Sequence, residues 1–168
     1  MHYDTTSHIW PCTDEAFFRE RIFCAARQRG PHCVSTVLAI LTGKAPSKYQ
    51  GSVNTQDPVS WSAALHEADM KLAYCPTDCR KLKHYMDELV RLDDLFTLSY
   101  YTALDHDTIL GEPDQSGWIT GSHIVILHRN AIIDPASGTA TIARSHSCNE
   151  HHTKRVFRVV PKDHARGL

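Results

Sequence analysis

Gly30-Pro31-His32-Cys33-Val34-Ser35-Thr36-Val37-Leu38-Ala39-Ile40-Leu41-Thr42-Gly43 decides how the rest of this chain is read. A Gly-Pro turn delivers a cysteine to the first turn of an apolar helix, and Gly43 stops that helix. Val34, Val37, Leu38 and Leu41 recur at helical spacing, and the polar face is so thin that the helix is expected at the centre of the molecule. The helix N-terminus carries partial positive charge and unsatisfied N–H groups, which bias a thiol placed there toward thiolate.

About ninety residues later stands Gly121-Ser122-His123-Ile124-Val125-Ile126-Leu127-His128-Arg129-Asn130-Ala131-Ile132-Ile133-Asp134-Pro135, which reads as a hairpin. With a two-residue loop at 128–129, His123 lies directly opposite Asp134. With the loop at 129–130 the two are diagonal neighbours. Either register puts both side chains on one face, because side chains alternate with period two; an odd loop would separate them. A nucleophilic cysteine needs a base within reach, and the base needs a third group to hold its ring. Cys33, His123 and Asp134 supply those three roles.

Around this pair the chain alternates helical and extended signals. A helix is expected from Asp14 to Arg27, with Thr13 or Asp14 as cap and Phe17, Phe18 and Ile22 on its apolar face. Residues 44–57 read as loop. Asp57-Pro58 opens a helix to about Ala68, Met70–Cys75 is a short strand, and a further helix runs from Cys79 to about Arg91. Strands follow at 95–102, 118–127, 131–134, 139–143 and 155–160, with a surface loop over 103–117. Helices first and a mostly antiparallel sheet afterwards is an α+β arrangement, and 168 residues suit one domain spanning 1–168. Lys154, Arg155 and Arg158 are assigned to the exposed face of the last strand.

Composition narrows the function classes. A formal net charge of −1 argues against a surface dedicated to nucleic acid. No uninterrupted apolar run comes near the roughly 18 residues of a membrane span, so no membrane partner is expected. The first eight residues have neither a basic start nor an apolar signal core, and a cytoplasmic location is the expectation. In that compartment the six cysteines are expected as thiols, ligands or catalysts and not as disulfides. Cys75, Cys79, Cys148 and His151 have a spacing that could hold zinc and would make the chain a zinc-stabilised binding module. No cofactor fingerprint is present, and none is expected.

The ordered set Cys33, His123, Asp134 resembles the papain-like cysteine peptidase superfamily. There a cysteine starts a central helix, a histidine starts a sheet strand, and Asp or Asn stands on the next strand. The two hairpin strands are similar to the His and Asp strands of bacterial leader-peptidase-type members. The resemblance implies a central Cys-bearing helix packed on the antiparallel sheet. It also implies hydrolysis of an amide bond in a peptide or protein substrate through an acyl-enzyme, with acyl transfer, deamidation and an inactive binding fold as variants. In that family a glutamine about six residues before the cysteine donates to the oxyanion; here Gln28 stands five before it, and Gln56 is the poorer substitute.

Overall fold

The computed structural model describes residues 8–12, 14–104 and 121–168. Most of the expected 103–117 loop, Trp118 and the first residues of the 118–127 strand lie outside them. Three helices, α1 (Cys33–Thr42), α2 (Pro58–Leu65) and α3 (Lys83–Leu92), accompany six strands. The strands are β1 (Met70–Cys75), β2 (Leu95–Tyr101), β3 (Ser122–His128), β4 (Ala131–Asp134), β5 (Thr139–Ile142) and β6 (Thr153–Pro161). They form one antiparallel sheet in the order β1-β6-β2-β3-β4-β5. The architecture is α+β. Among the described residues no helix is long and apolar enough to cross a membrane.

Both faces of the sheet are covered, which explains why β3 is apolar without interruption from Ile124 to Leu127. Ile124 and Ile126 pack with α1 and α2, while Val125 and Leu127 pack with α3. α1 is buried from Val34 through Leu41 on every side, as its thin polar face requires. It ends at Gly43, whose φ of 73° is left-handed and whose N–H donates to Ala39 O at 2.8 Å. Asp57 caps α2 by accepting the Val59 N–H at 3.0 Å, with Pro58 in the first turn. The β3–β4 turn closes over Arg129 and Asn130, with His128 paired to Ala131.

Three expectations are corrected. Residues 14–32 contain no helix. The Phe17 and Phe18 N–H groups both donate to the Asp94 carboxylate at 2.8 Å, and the Gln28 N–H donates to Pro135 O at 2.7 Å. Distant acceptors have taken the donors a helix would need, so the segment runs as a strap over the sheet. It crosses the β4–β5 turn closely: a Cβ on Gly138 (φ 69°) would sit 2.8 Å from the Arg27 Cβ.

Arg158 is the second correction. It is fully buried and pairs with the equally buried Asp94 at 2.7 Å. Its guanidinium donates to Glu15 O at 2.8 Å and lies 4.8 Å and 5.0 Å from the Trp10 and Phe17 ring centres. This pair anchors the strap.

The third concerns α3, which starts at Lys83 and not at Cys79. Residues 80–82 are drawn into pairing with 151–153: Thr153 N–H donates to Arg80 O at 2.9 Å and Leu82 N–H to His151 O at 2.9 Å. Asp78 caps a local turn instead, accepting the Arg80 N–H and the Tyr85 hydroxyl.

Candidate active site

β4 is short, and that creates the site. Its pairing with β3 begins at Ile126–Ile133, so the β3 edge at Ile124 has no strand beside it. Cys33, at the first position of α1, reaches this edge from the Ile124/Ile126 side of the sheet. His123 stands on the Val125/Leu127 side, where its ring meets Tyr100 edge-on at 5.7 Å between centroids. The two side chains meet where β4 has ended.

The register is the diagonal one of the two that the hairpin allowed, since His128 pairs with Ala131. His123 Nε2 donates to Asp134 Oδ1 at 2.8 Å, and both side chains are nearly buried, at 12% and 13% exposure. That leaves Nδ1 free of Asp134, on an imidazole that interacts with the Cys33 thiol across the same cleft. Cys33, His123 and Asp134 are thus brought together in the expected order.

The electrostatics follow from this contact chain. Burial raises the Cys33 thiol pKa, but the His123 hydrogen bond and charge, with the Ile124 and Val34 N–H groups, outweigh it and bring the thiol below its ordinary value. Burial opposes charge on His123 as well; the hydrogen bond to Asp134 and then the contact with Cys33 reverse that, and hold the imidazole at about 9. Burial works against charge on Asp134, yet bonds from His123, His146 and the Ala136 N–H hold it well below the usual carboxylate range. The contact therefore favours charge on both partners, the thiol being lowered by His123 and the imidazole raised by Asp134 and Cys33.

His146 is a participant that the sequence reading did not single out. Its Nε2 donates to the second Asp134 oxygen at 2.8 Å, and its side chain is 8% exposed. The Cys148 N–H donates to its Nδ1 at 2.9 Å, so the ring proton is fixed on Nε2. Each carboxylate oxygen of Asp134 therefore carries one histidine. The available signal was weak: His146 is one of three histidines in a seven-residue polar stretch, and only the fold separates it from the other two.

Gln28 lies elsewhere. Its side-chain Nε2 donates to Gly30 O at 2.9 Å, and its buried Oε1 has no partner among the described residues. It does not line the cleft beside the thiol, and Gln56 is exposed in its loop. The cleft is bounded instead by Cys33, Trp61, Ser122, His123, Lys154 and Arg155, with Thr55 and Ser99 behind them. Trp61 belongs both to the core and to this wall, its indole N–H held by Asn54 O at 2.8 Å.

The residues with zinc-ligand spacing do not converge. Cys75 and Cys148 are buried, and burial pushes each thiol up to about 12. Cys79 is exposed, and His151 and His152 turn their Nδ1 atoms to the carbonyls of Tyr101 and Cys79. Among the described residues no three His, Cys, Asp or Glu side chains are grouped to hold a metal. The zinc-stabilised module is set aside on this geometry.

No protein-family model, no curated protein and no solved structure matches the chain.

Proposed function

We propose that the protein is a thiol-dependent hydrolase of papain-like design, cleaving an amide bond in a peptide or protein through Cys33, His123 and Asp134. The observation that carries this reading is His123, hydrogen-bonded to Asp134 at 2.8 Å and lining the same cleft as the Cys33 thiol, with which it interacts. A structural cysteine needs no such partner; Cys75 and Cys148 have none.

In the proposed reaction the Cys33 thiolate attacks the carbonyl carbon, and the C=O electrons move onto oxygen. The Cys33 backbone N–H, at the first helical position, has no acceptor within its helix and is available to that oxyanion. Gln28 joins it only by exchanging Gly30 O for the oxyanion. As the tetrahedral species collapses, the C–N bond breaks, and the His123 proton passes to the leaving amine. His123, now neutral, takes a proton from water, whose oxygen attacks the thioester and releases the acid and the thiol. An amine in place of water would make the same chain an acyl transferase, and a glutamine side-chain amide as substrate would make it a deamidase.

The test is selective alkylation. With iodoacetamide near neutral pH, Cys33 should label first among the six cysteines, ahead even of the exposed Cys12, Cys24 and Cys79. Peptide mapping that finds Cys33 no faster than those three would refute the activated thiol.

A further inference from the structure

Resting on that reading, we infer that the cleft selects a substrate bearing a carboxylate beside the scissile bond, held by Lys154 and Arg155. The feature behind this is a β-bulge. β6 pairs with β2 as Ser99–Arg155 and then Tyr100–Thr153, so Lys154 is an extra residue in the ladder. In an unbroken strand Lys154 and Arg155 would point to opposite faces. Here both line the cleft that contains Cys33 and His123.

Each cation is held on this side by a contact of its own. Lys154 Nζ donates to Ser122 Oγ at 3.3 Å, the residue next to His123. The Arg155 guanidinium lies 5.8 Å from the centre of the Trp61 ring, and that ring is itself fixed by its bond to Asn54. Both side chains are only partly exposed. Burial and the neighbouring Arg155 both lower the Lys154 ammonium pKa, as expected of a cation partly withdrawn from water without a counter-charge.

About half of the lysines and arginines have no carboxylate partner among the described residues, and of these Lys154 and Arg155 are the two that line this cleft. Asp134, the acid of the site, is already taken by two histidines. Two adjacent, partly desolvated cations with no carboxylate partner among the described residues, beside a nucleophile, form a receptor for an anion. The fork of Arg155 matches a carboxylate, and Lys154 adds a point charge next to the base.

Two alkylating reagents of nearly equal size isolate this charge. Iodoacetamide is neutral and iodoacetate carries a carboxylate, so the ratio of their rates at Cys33 reads the subsite. The K154Q/R155Q double variant should lower the iodoacetate-to-iodoacetamide ratio by about fivefold or more, because the local field steers the anion. K162Q, a cation beyond the far end of β6, should leave the ratio within about twofold of the unsubstituted protein. An unchanged ratio in the double variant overturns the subsite.

A second measurement does not depend on thiol reactivity. In Cys33→Ala, titration with N-acetylalanine (a chain-terminal carboxylate) and the α-amide of N-acetylaspartic acid (a side-chain carboxylate) should shift the Trp61 indole N–H resonance, and N-acetylalaninamide should not. The stronger of the two acids names the source of the carboxylate. Equal shifts with the neutral amide, or no shift with either acid, overturn the proposal. Failure of iodoacetamide to select Cys33, with the anion shifts retained, would remove the hydrolase reading and leave an anion-binding cleft.

Discussion

Two buried carboxylates stand on the same sheet and do opposite work. Asp94 is fully buried and faces Arg158, a cation that cannot lose its proton, together with the N–H groups of Phe17 and Phe18. Asp134 is slightly exposed and faces two histidines, His123 and His146. A permanent counter-charge makes a fastener. An imidazole partner makes an orienter, because Asp134 fixes the His123 ring that can give up and regain a proton during a reaction. The Asp94 centre ties the 14–28 strap to the sheet, and the Asp134 centre aims an imidazole at a thiol.

Breaking each centre should separate stability from reactivity. Asp94→Ala leaves Arg158 buried without its partner and orphans two backbone donors. It should cost about 3–5 kcal/mol in urea unfolding. Asp134→Asn keeps a side-chain oxygen as acceptor for one of the two histidines and should cost about 1–2 kcal/mol. The sign with pH is that of any paired carboxylate. Asp134 is depressed in the fold, so its contribution is present at neutral pH and fades as pH falls through its folded value. A smaller unfolding cost for Asp94→Ala than for Asp134→Asn would invert the two roles.

Reactivity should follow the other order. His123→Ala removes the hydrogen bond and charge that offset burial at Cys33, so the thiol should rise above its ordinary value of 9.0. Labelling by iodoacetamide at pH 7 should fall about tenfold or more, since each unit of pKa is tenfold in thiolate. Asp94 variants that remain folded should label at the unsubstituted rate.

His146→Ala is the smallest and most discriminating change. It frees one Asp134 oxygen without touching Cys33 or His123. Labelling should drop about two- to fivefold, in line with the loss of a single supporting hydrogen bond. The His123 ring, held at about 9, should titrate at higher pH by NMR, because Asp134 freed of His146 holds the His123 proton more strongly. His146→Gln keeps a side-chain N–H and should recover most of the loss. Equal effects of Ala and Gln, with no movement of the His123 titration, would reduce His146 to a packing residue.

What the sequence disclosed divides along the same line. α1 and the β3–β4 hairpin were legible because their signals are local: a Gly-Pro turn, helical spacing, a stop glycine, and alternation across a two-residue loop. The strap was not legible, because Phe17 and Phe18 have a helix-like pattern while their N–H acceptor, Asp94, is more than seventy residues away. Arg158 looked exposed by strand alternation for the same reason; its partner stands sixty-four positions earlier. Gln28 stood one residue off the family spacing, and the strap's bond to Pro135 leaves its amide at Gly30. The bulge at Lys154 left one trace, two consecutive cations in a strand that otherwise alternates.

In the proposed site His123 lowers the pKa of the Cys33 thiol, and the pH dependence of Cys33 alkylation by iodoacetamide reads that effect. In the unsubstituted protein the midpoint should fall below 9.0, the ordinary thiol value, and in His123→Ala it should rise above it. Coincident midpoints in the two proteins would contradict the account.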